Sequence, residues 1–197
     1  MLCAISALCL IEASPRQVFP GYVKLNGVVV WQAFGQVQVN GANVMIVDPS
    51  GCTLQEWHNF DTYEERDAAA RLRDYLQGLS DGTVLVSVTD DDASLFLGDA
   101  LETLSALGAD VSDVRLRGAW VFVAEKGDPS KTVFDKQLTE ATASNARQLH
   151  INVTFGRCDH TVAECVKDGS VSQWKCEKFD PHSPKNPKTD GHQNLHW

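Results

Sequence analysis

Three consecutive carboxylates, Asp90-Asp91-Asp92, follow a β-branched run and precede a leucine-rich segment. Carboxylate oxygens at this spacing suit a hard divalent cation, as in the Asp-x-Asp motif of nucleotide-sugar transferases or a weak calcium site. The chain has neither room for a transferase domain nor a nucleotide-binding pattern, and no EF-hand spacing is present. An acidic turn favoured near a helix N-terminus accounts for the same residues. Cys158, Cys165 and Cys176, with His160 nearby, are spaced unlike the paired cysteines of structural zinc sites. Together with Cys52 they make an even set of four, as disulfides in an oxidising compartment require, so Cys52 is expected to pair with one of the other three. Spacing does not choose among the pairings. His182, His192 and His196 are scattered through a polar terminus. No Ser-His-Asp or Cys-His pattern has a local signature, so no catalytic residue, metal or cofactor is assigned.

The elements that must position such residues can be read along the chain. Residues 2–11, with Cys3 and Cys9, form an apolar run too short to span a bilayer. The run fits the core of a secretory leader, with a cleavage point near Ala13 or Ser14, and residues 1–14 are assigned to it. Residues 28–34 read as a strand, 36–39 as a short second strand before an Asn40-Gly41 turn, and 43–48 and 53–58 as further strands. Thr62 and Glu65 have the spacing of a capping box, followed by apolar residues at helical period from Ala68 to Leu79. Residues 83–89 are a central strand. Leu97, Leu101, Leu104 and Leu107 share a second helix ending at Gly108, and residues 119–124 are the closing strand. Residues 128–150 are polar, and 151–176 hold a short apolar strand and three cysteines. From 178 onward, Pro, Lys, His and Asn suggest a disordered tail.

The net charge of -9 is uneven. Residues 28–127 hold 16 acidic against 6 basic residues, whereas residues 128–197 hold 9 of each. An acidic domain repels phosphate backbones, which argues against a nucleic-acid partner. No segment is long and apolar enough to suggest a membrane span. Asn152-Val153-Thr154 is a glycosylation sequon.

Several segments, in fixed order, resemble the ILEI/PANDER domain family. They are Gly41-Ala42-Asn43-Val44-Met45-Ile46-Val47-Asp48-Pro49, Phe60-Asp61-Thr62-Tyr63, Val86-Ser87-Val88-Thr89-Asp90-Asp91-Asp92-Ala93-Ser94, Ser105-Ala106-Leu107-Gly108 and Arg117-Gly118-Ala119-Trp120-Val121-Phe122. The resemblance covers residues 23–127 and implies an α/β (α+β) fold: a compact domain of two β-sheets lined by short helices. Residues 128–177 would then be a cysteine-containing extension and 178–197 the tail. The resemblance also implies secretion or luminal exposure and recognition without catalysis. Relatives of this family include FAM3-like cytokine proteins and the lectin-like stem of an O-mannose N-acetylglucosaminyltransferase, which holds a terminal N-acetylglucosamine. The family's sugar-contacting carboxylate falls on Asp91 and its arginine on Arg117. Two departures affect this site: the loop at 109–114 is shorter than the family pattern, and Gly118 replaces a larger polar residue.

Those residues suit a sugar on their own chemistry. Asp accepts from hydroxyls, Arg donates from a rigid fork, and Trp120 could offer a ring face. An Asp91–Arg117 ion pair with Trp120 in the core is the structural alternative. The expected function is therefore secreted glycan recognition through Asp91, Arg117 and Trp120, or FAM3-like signalling through a cell-surface receptor. Asn152 is the expected glycosylation site.

Overall fold

A computed structural model describes residues 5–17, 19–33, 39–142, 145, 148–158, 163–167 and 174–178. The strand expected at 36–39 and the tail expected at 178–197 lie outside these residues except for Val39 and for Lys178, which ends a strand. The elements, in chain order, are β1 (Ile5–Ser14), β2 (Tyr22–Leu25), β3 (Val28–Gln32), β4 (Gly41–Asp48), β5 (Thr53–Phe60), α1 (Ala68–Gly78), β6 (Val84–Asp90), a 3-10 turn at Gly98–Ala100, α2 (Leu101–Ala106), β7 (Ala119–Glu125), β8 (Asp128–Gln137), β9 (Ile151–Cys158), β10 (Ala163–Lys167) and β11 (Trp174–Lys178).

Two antiparallel sheets face each other. One has the order β3-β2-β1-β9 and the other β5-β4-β6-β7-β8, while β10 and β11 form a separate pair. Between the sheets, Cys9, Ile11 and Ala13 of β1 and Val23 of β2 meet Met45, Val86, Val88, Val121 and Val123. The opposite face of the five-stranded sheet is covered by the helices, where Leu72, Leu76 and Leu104 pack on Val44, Leu85, Trp120 and Phe122. A sheet covered on both faces reads as continuous apolar sequence rather than as alternation. Every residue of β6 is accordingly buried. The α/β architecture of two sheets lined by short helices is thus present, with the helices on one sheet only.

The apolar run read as a leader is β1. It pairs with β2 through Ile11↔Leu25 and Ala13↔Val23, and with β9 through Ile11↔Val153. A run of about ten apolar residues fits a leader core and a buried strand equally, and only partners separate the two. Cys9, assigned to that leader, is bonded to Cys52. This corrects the expected pairing of Cys52 with a C-terminal cysteine. The bond ties β1 of one sheet to the turn before β5 of the other, closing 43 residues of sequence separation. In the chain-entropy account, a loop of that size stabilises by about 4 kcal/mol.

The folded unit also exceeds residues 23–127. β8 pairs with β7 through Phe122↔Phe134, so β7 is an interior strand rather than the closing one. Leu149, Ile151 and Val153 are buried between the sheets. Polar side chains on the open face of an edge strand gave this region its polar composition. The Thr62–Glu65 capping box is corrected too, since α1 starts at Ala68 with Asp67 before it. The Thr62 hydroxyl instead donates to the carbonyl of Ala93 at 2.8 Å.

Candidate functional site

The side chains of interest gather at one end of the five-stranded sheet. Gly41 opens β4 opposite Asp90, which closes β6, and Ala119 opens β7 opposite Gln137, which closes β8. The pairing Val88↔Val121 brings the ends of β6 and β7 together. Immediately beyond them lie Asp91, with φ 56°, and Arg117, with φ 55°. Left-handed backbone is uncommon outside glycine. Aspartate tolerates it through local hydrogen bonding, whereas for arginine it is a strained choice that the surroundings must impose.

The surroundings of Arg117 are specific. The Gly118 N–H donates to the Arg115 carbonyl at 2.7 Å, and the Arg115 N–H to the Leu138 carbonyl at 2.7 Å. A Cβ on Gly118 would lie 2.7 Å from the Gln137 carbonyl oxygen and 2.8 Å from that of Leu138. The glycine that departs from the family pattern is therefore required by this chain's tight path. Gln17 adds a long hydrogen bond from its side-chain amide to the Arg117 carbonyl, at 3.5 Å.

Arg117 projects outward, with its side chain 54% exposed, and its Nη1 donates to Glu140 Oε1 at 2.9 Å. That hydrogen bond, followed by the charges of Glu140, Asp91 and Tyr63, raises the guanidinium's pKa above its ordinary value. The ion pair thus forms with Glu140 rather than Asp91, which is exposed and acts on the same guanidinium through its charge.

Asp90 and Asp92 serve different ends. Asp90 is buried and bonded to Arg16 Nε, while the Arg16 N–H donates to the Thr89 carbonyl at 3.1 Å. Burial raises the Asp90 pKa, with Arg16 opposing the shift. Asp92 Oδ1 accepts from the Ser94 N–H at 2.8 Å. The three carboxylates do not converge, and among the described residues no group of three or more His, Cys, Asp or Glu side chains could hold a metal ion. Among the same residues, the buried side-chain atoms without a hydrogen bond are Asn40 Oδ1, Asp90 Oδ2, Asp92 Oδ2 and both polar atoms of Gln137. All belong to strand ends or loops at this one end of the sheet, where polar satisfaction has been relaxed.

Trp120 takes no part in the exposed rim. It is fully buried, its indole N–H donates to Ser87 Oγ at 3.3 Å, and its ring belongs to the helix-side core. Arg117 lies in the turn before β7 and Trp120 within the strand, which enters the core between them. A half-exposed tryptophan does exist, Trp57, on the opposite edge strand β5. The Phe60–Tyr63 segment has a positioning role. Thr62 binds the loop after Asp92 through the Ala93 carbonyl and also accepts from the Phe96 N–H at 2.8 Å.

Sequence reasoning missed Arg16, Gln17, Gln137 and Glu140. The first two follow the segment read as a leader and the others fall in the region read as an extension, so their contacts with Asp90 (Arg16), Arg117 (Gln17, Glu140) and the start of β7 (Gln137) have no local signal. Asn152 of the sequon is exposed on β9, opposite Glu12, with Val153 turned to the core. Cys165 and Cys176 face each other in the β10–β11 ladder, and Cys158 ends β9. The side chains of these three cysteines, and His160, His182, His192 and His196, lie outside the described residues.

The family model described as Interleukin-like EMT inducer, ILEI, matches residues 40–128. Over that span the chain is similar to the ILEI domain. Its matched span runs from the turn before β4 to the start of β8 and includes both Asp91 and Arg117. The chain is also 30% identical over 122 residues to the human cell migration-inducing and hyaluronan-binding protein, and 29% identical over 122 residues to the mouse protein of that name. Each alignment takes in 61% of this chain but 9% of the relative, so this chain corresponds to a small part of those proteins. β1, which supplies Arg16 through the residues that follow it, lies outside the span of the ILEI match.

Proposed function

We propose that the chain is a secreted, non-catalytic binding module that receives the terminal sugar of a glycan between Asp91 and Arg117. The observation that carries this reading is the pair of left-handed residues at adjoining strand ends, which hold a carboxylate and a half-exposed guanidinium on one rim. Strain retained at an exposed polar position is a feature of recognition sites. Aspartate and arginine together accept from hydroxyls and donate to ring or acetamido oxygens. The name of the human relative includes hyaluronan binding, which supports a sugar as the ligand class.

Secretion is supported by the Cys9–Cys52 bond, since disulfides persist in oxidising compartments. Among the described residues no helix is long and apolar enough to cross a membrane. In such a compartment the exposed Asn152 would carry an N-linked glycan. A glycan array probed with the full chain tests the reading. A defined set of sugars should bind, and Arg117→Ala should abolish the signal. Binding that survives the substitution would overturn the assignment of the rim. Cell-surface binding that survives both deglycosylation of the cells and Arg117→Ala would instead favour a protein receptor, the reading suggested by the family's interleukin-like description.

A further inference from the structure

We infer that Glu140 sets the specificity of this rim: by occupying the Arg117 guanidinium it keeps acidic sugars out, so the ligand is an uncharged, hydroxyl-bearing sugar. The inference rests on the glycan reading above and adds a residue outside the matched ILEI span.

A uronate carboxylate entering the rim would seek the guanidinium, the strongest complement available to it. Glu140 Oε1 already lies 2.9 Å from Nη1, and Asp91 bears on the same group through its charge. The acid would therefore be the third carboxylate around one guanidinium, and it would have to displace Glu140 to form its own hydrogen bond. Among the described residues, two other arginines lie at this end: Arg16 is engaged by the buried Asp90, and Arg115, two residues before Arg117, donates from its side chain to the Ser112 carbonyl at 3.4 Å. The buried atoms behind the rim offer no compensation. Among the described residues, the buried unpartnered side-chain atoms are the acceptors Asn40 Oδ1, Asp90 Oδ2, Asp92 Oδ2 and Gln137 Oε1, which disfavour an incoming anion, and one donor, Gln137 Nε2. Residues 28–127, with 16 acidic and 6 basic side chains, add a repulsive background field. A neutral sugar meets none of these obstacles. Its hydroxyls donate to Asp91, and its oxygens use the guanidinium nitrogens that Glu140 leaves free.

The test compares two probes by isothermal titration of the full chain: a tetramer of N-acetylglucosamine, which is neutral, and a hyaluronan tetrasaccharide, in which uronates alternate. Wild type should bind the neutral tetramer at least about tenfold more tightly, and Glu140→Gln should narrow that gap by about fivefold through gain of hyaluronan affinity alone. Glu140 is exposed, so an unchanged melting curve checks that the variant is folded. Wild-type preference for hyaluronan, lost in Arg117→Ala, would overturn the inference while leaving the glycan reading intact. An unchanged ratio in Glu140→Gln would also overturn it. Failure of both probes and of every neutral sugar on the array would remove the glycan reading, and the inference with it.

Discussion

Arg117 and Glu140 join the entry of β7 to the chain beyond β8, with Nη1 and Oε1 2.9 Å apart and both side chains about half exposed. An exposed pair of this kind contributes little to stability, so its geometry is better explained by what it presents than by what it holds together. Its cost lies in the backbone, because Arg117 adopts φ 55°.

That cost gives a direct test. Glycine enters the left-handed region freely, whereas alanine keeps the Cβ penalty. Arg117→Gly is therefore expected to melt ~2 °C above Arg117→Ala in this chain. Both variants should lose ligand equally. If the alanine variant proves the more stable, the left-handed conformation at 117 is wrong. Unequal loss of binding would show that the backbone, rather than the guanidinium, carries recognition.

Asp90 provides a pH test. Its pKa is raised above the ordinary 3.8, first by burial, against the pull of Arg16. The native state therefore holds a proton more strongly than the unfolded chain does, so the contribution of Asp90 is greatest below 3.8 and falls as pH rises through its higher native value. Asp90→Asn removes that proton linkage at nearly constant shape. Denaturant titrations of both proteins should show the variant gaining on wild type as pH rises above 3.8. If the variant loses ground over that interval, attraction to Arg16 outweighs burial.

The disulfide and β1 can be tested together. Peptide mapping without reductant should recover Cys9 linked to Cys52. Cys9→Ser should lower unfolding free energy by about 2–4 kcal/mol, the range of a native bond closing a loop of this order. Deleting residues 1–14 removes an interior strand of the four-stranded sheet and should prevent folding altogether. A well-folded product lacking those residues would restore the leader reading and dismiss the Cys9–Cys52 bond.

Legibility in the sequence followed locality. The strand through residues 43–48, the helix after Ala68, the central strand before Asp90 and the strand at Trp120 were each evident from period or composition, and each lies within the fold as expected. Asp91 and Arg117 came from a family pattern that depends on a short span of sequence. Elements at the ends of the chain were misread because their meaning is non-local. An apolar run becomes a strand only when β2 and β9 flank it, and Glu140 becomes part of a site only when β8 returns beside β7. Trp120 shows the limit of spacing. Its distance from Arg117 along the chain said nothing about which face of the sheet it would occupy.

Trp120 also separates the core from the rim experimentally. Its ring is buried among helix-side residues, with the indole N–H on Ser87 Oγ. Trp120→Phe removes ring volume and that hydrogen bond, and the expected loss is about 1–3 kcal/mol of stability. Recognition at Asp91 and Arg117 should be retained at temperatures where the variant is folded. A sugar stacked on the ring would give the opposite pattern, with binding lost and stability nearly unchanged. Calorimetric melting alongside ligand titration of this one variant therefore decides whether the tryptophan of the Arg-x-x-Trp strand supports the site from beneath or touches the ligand.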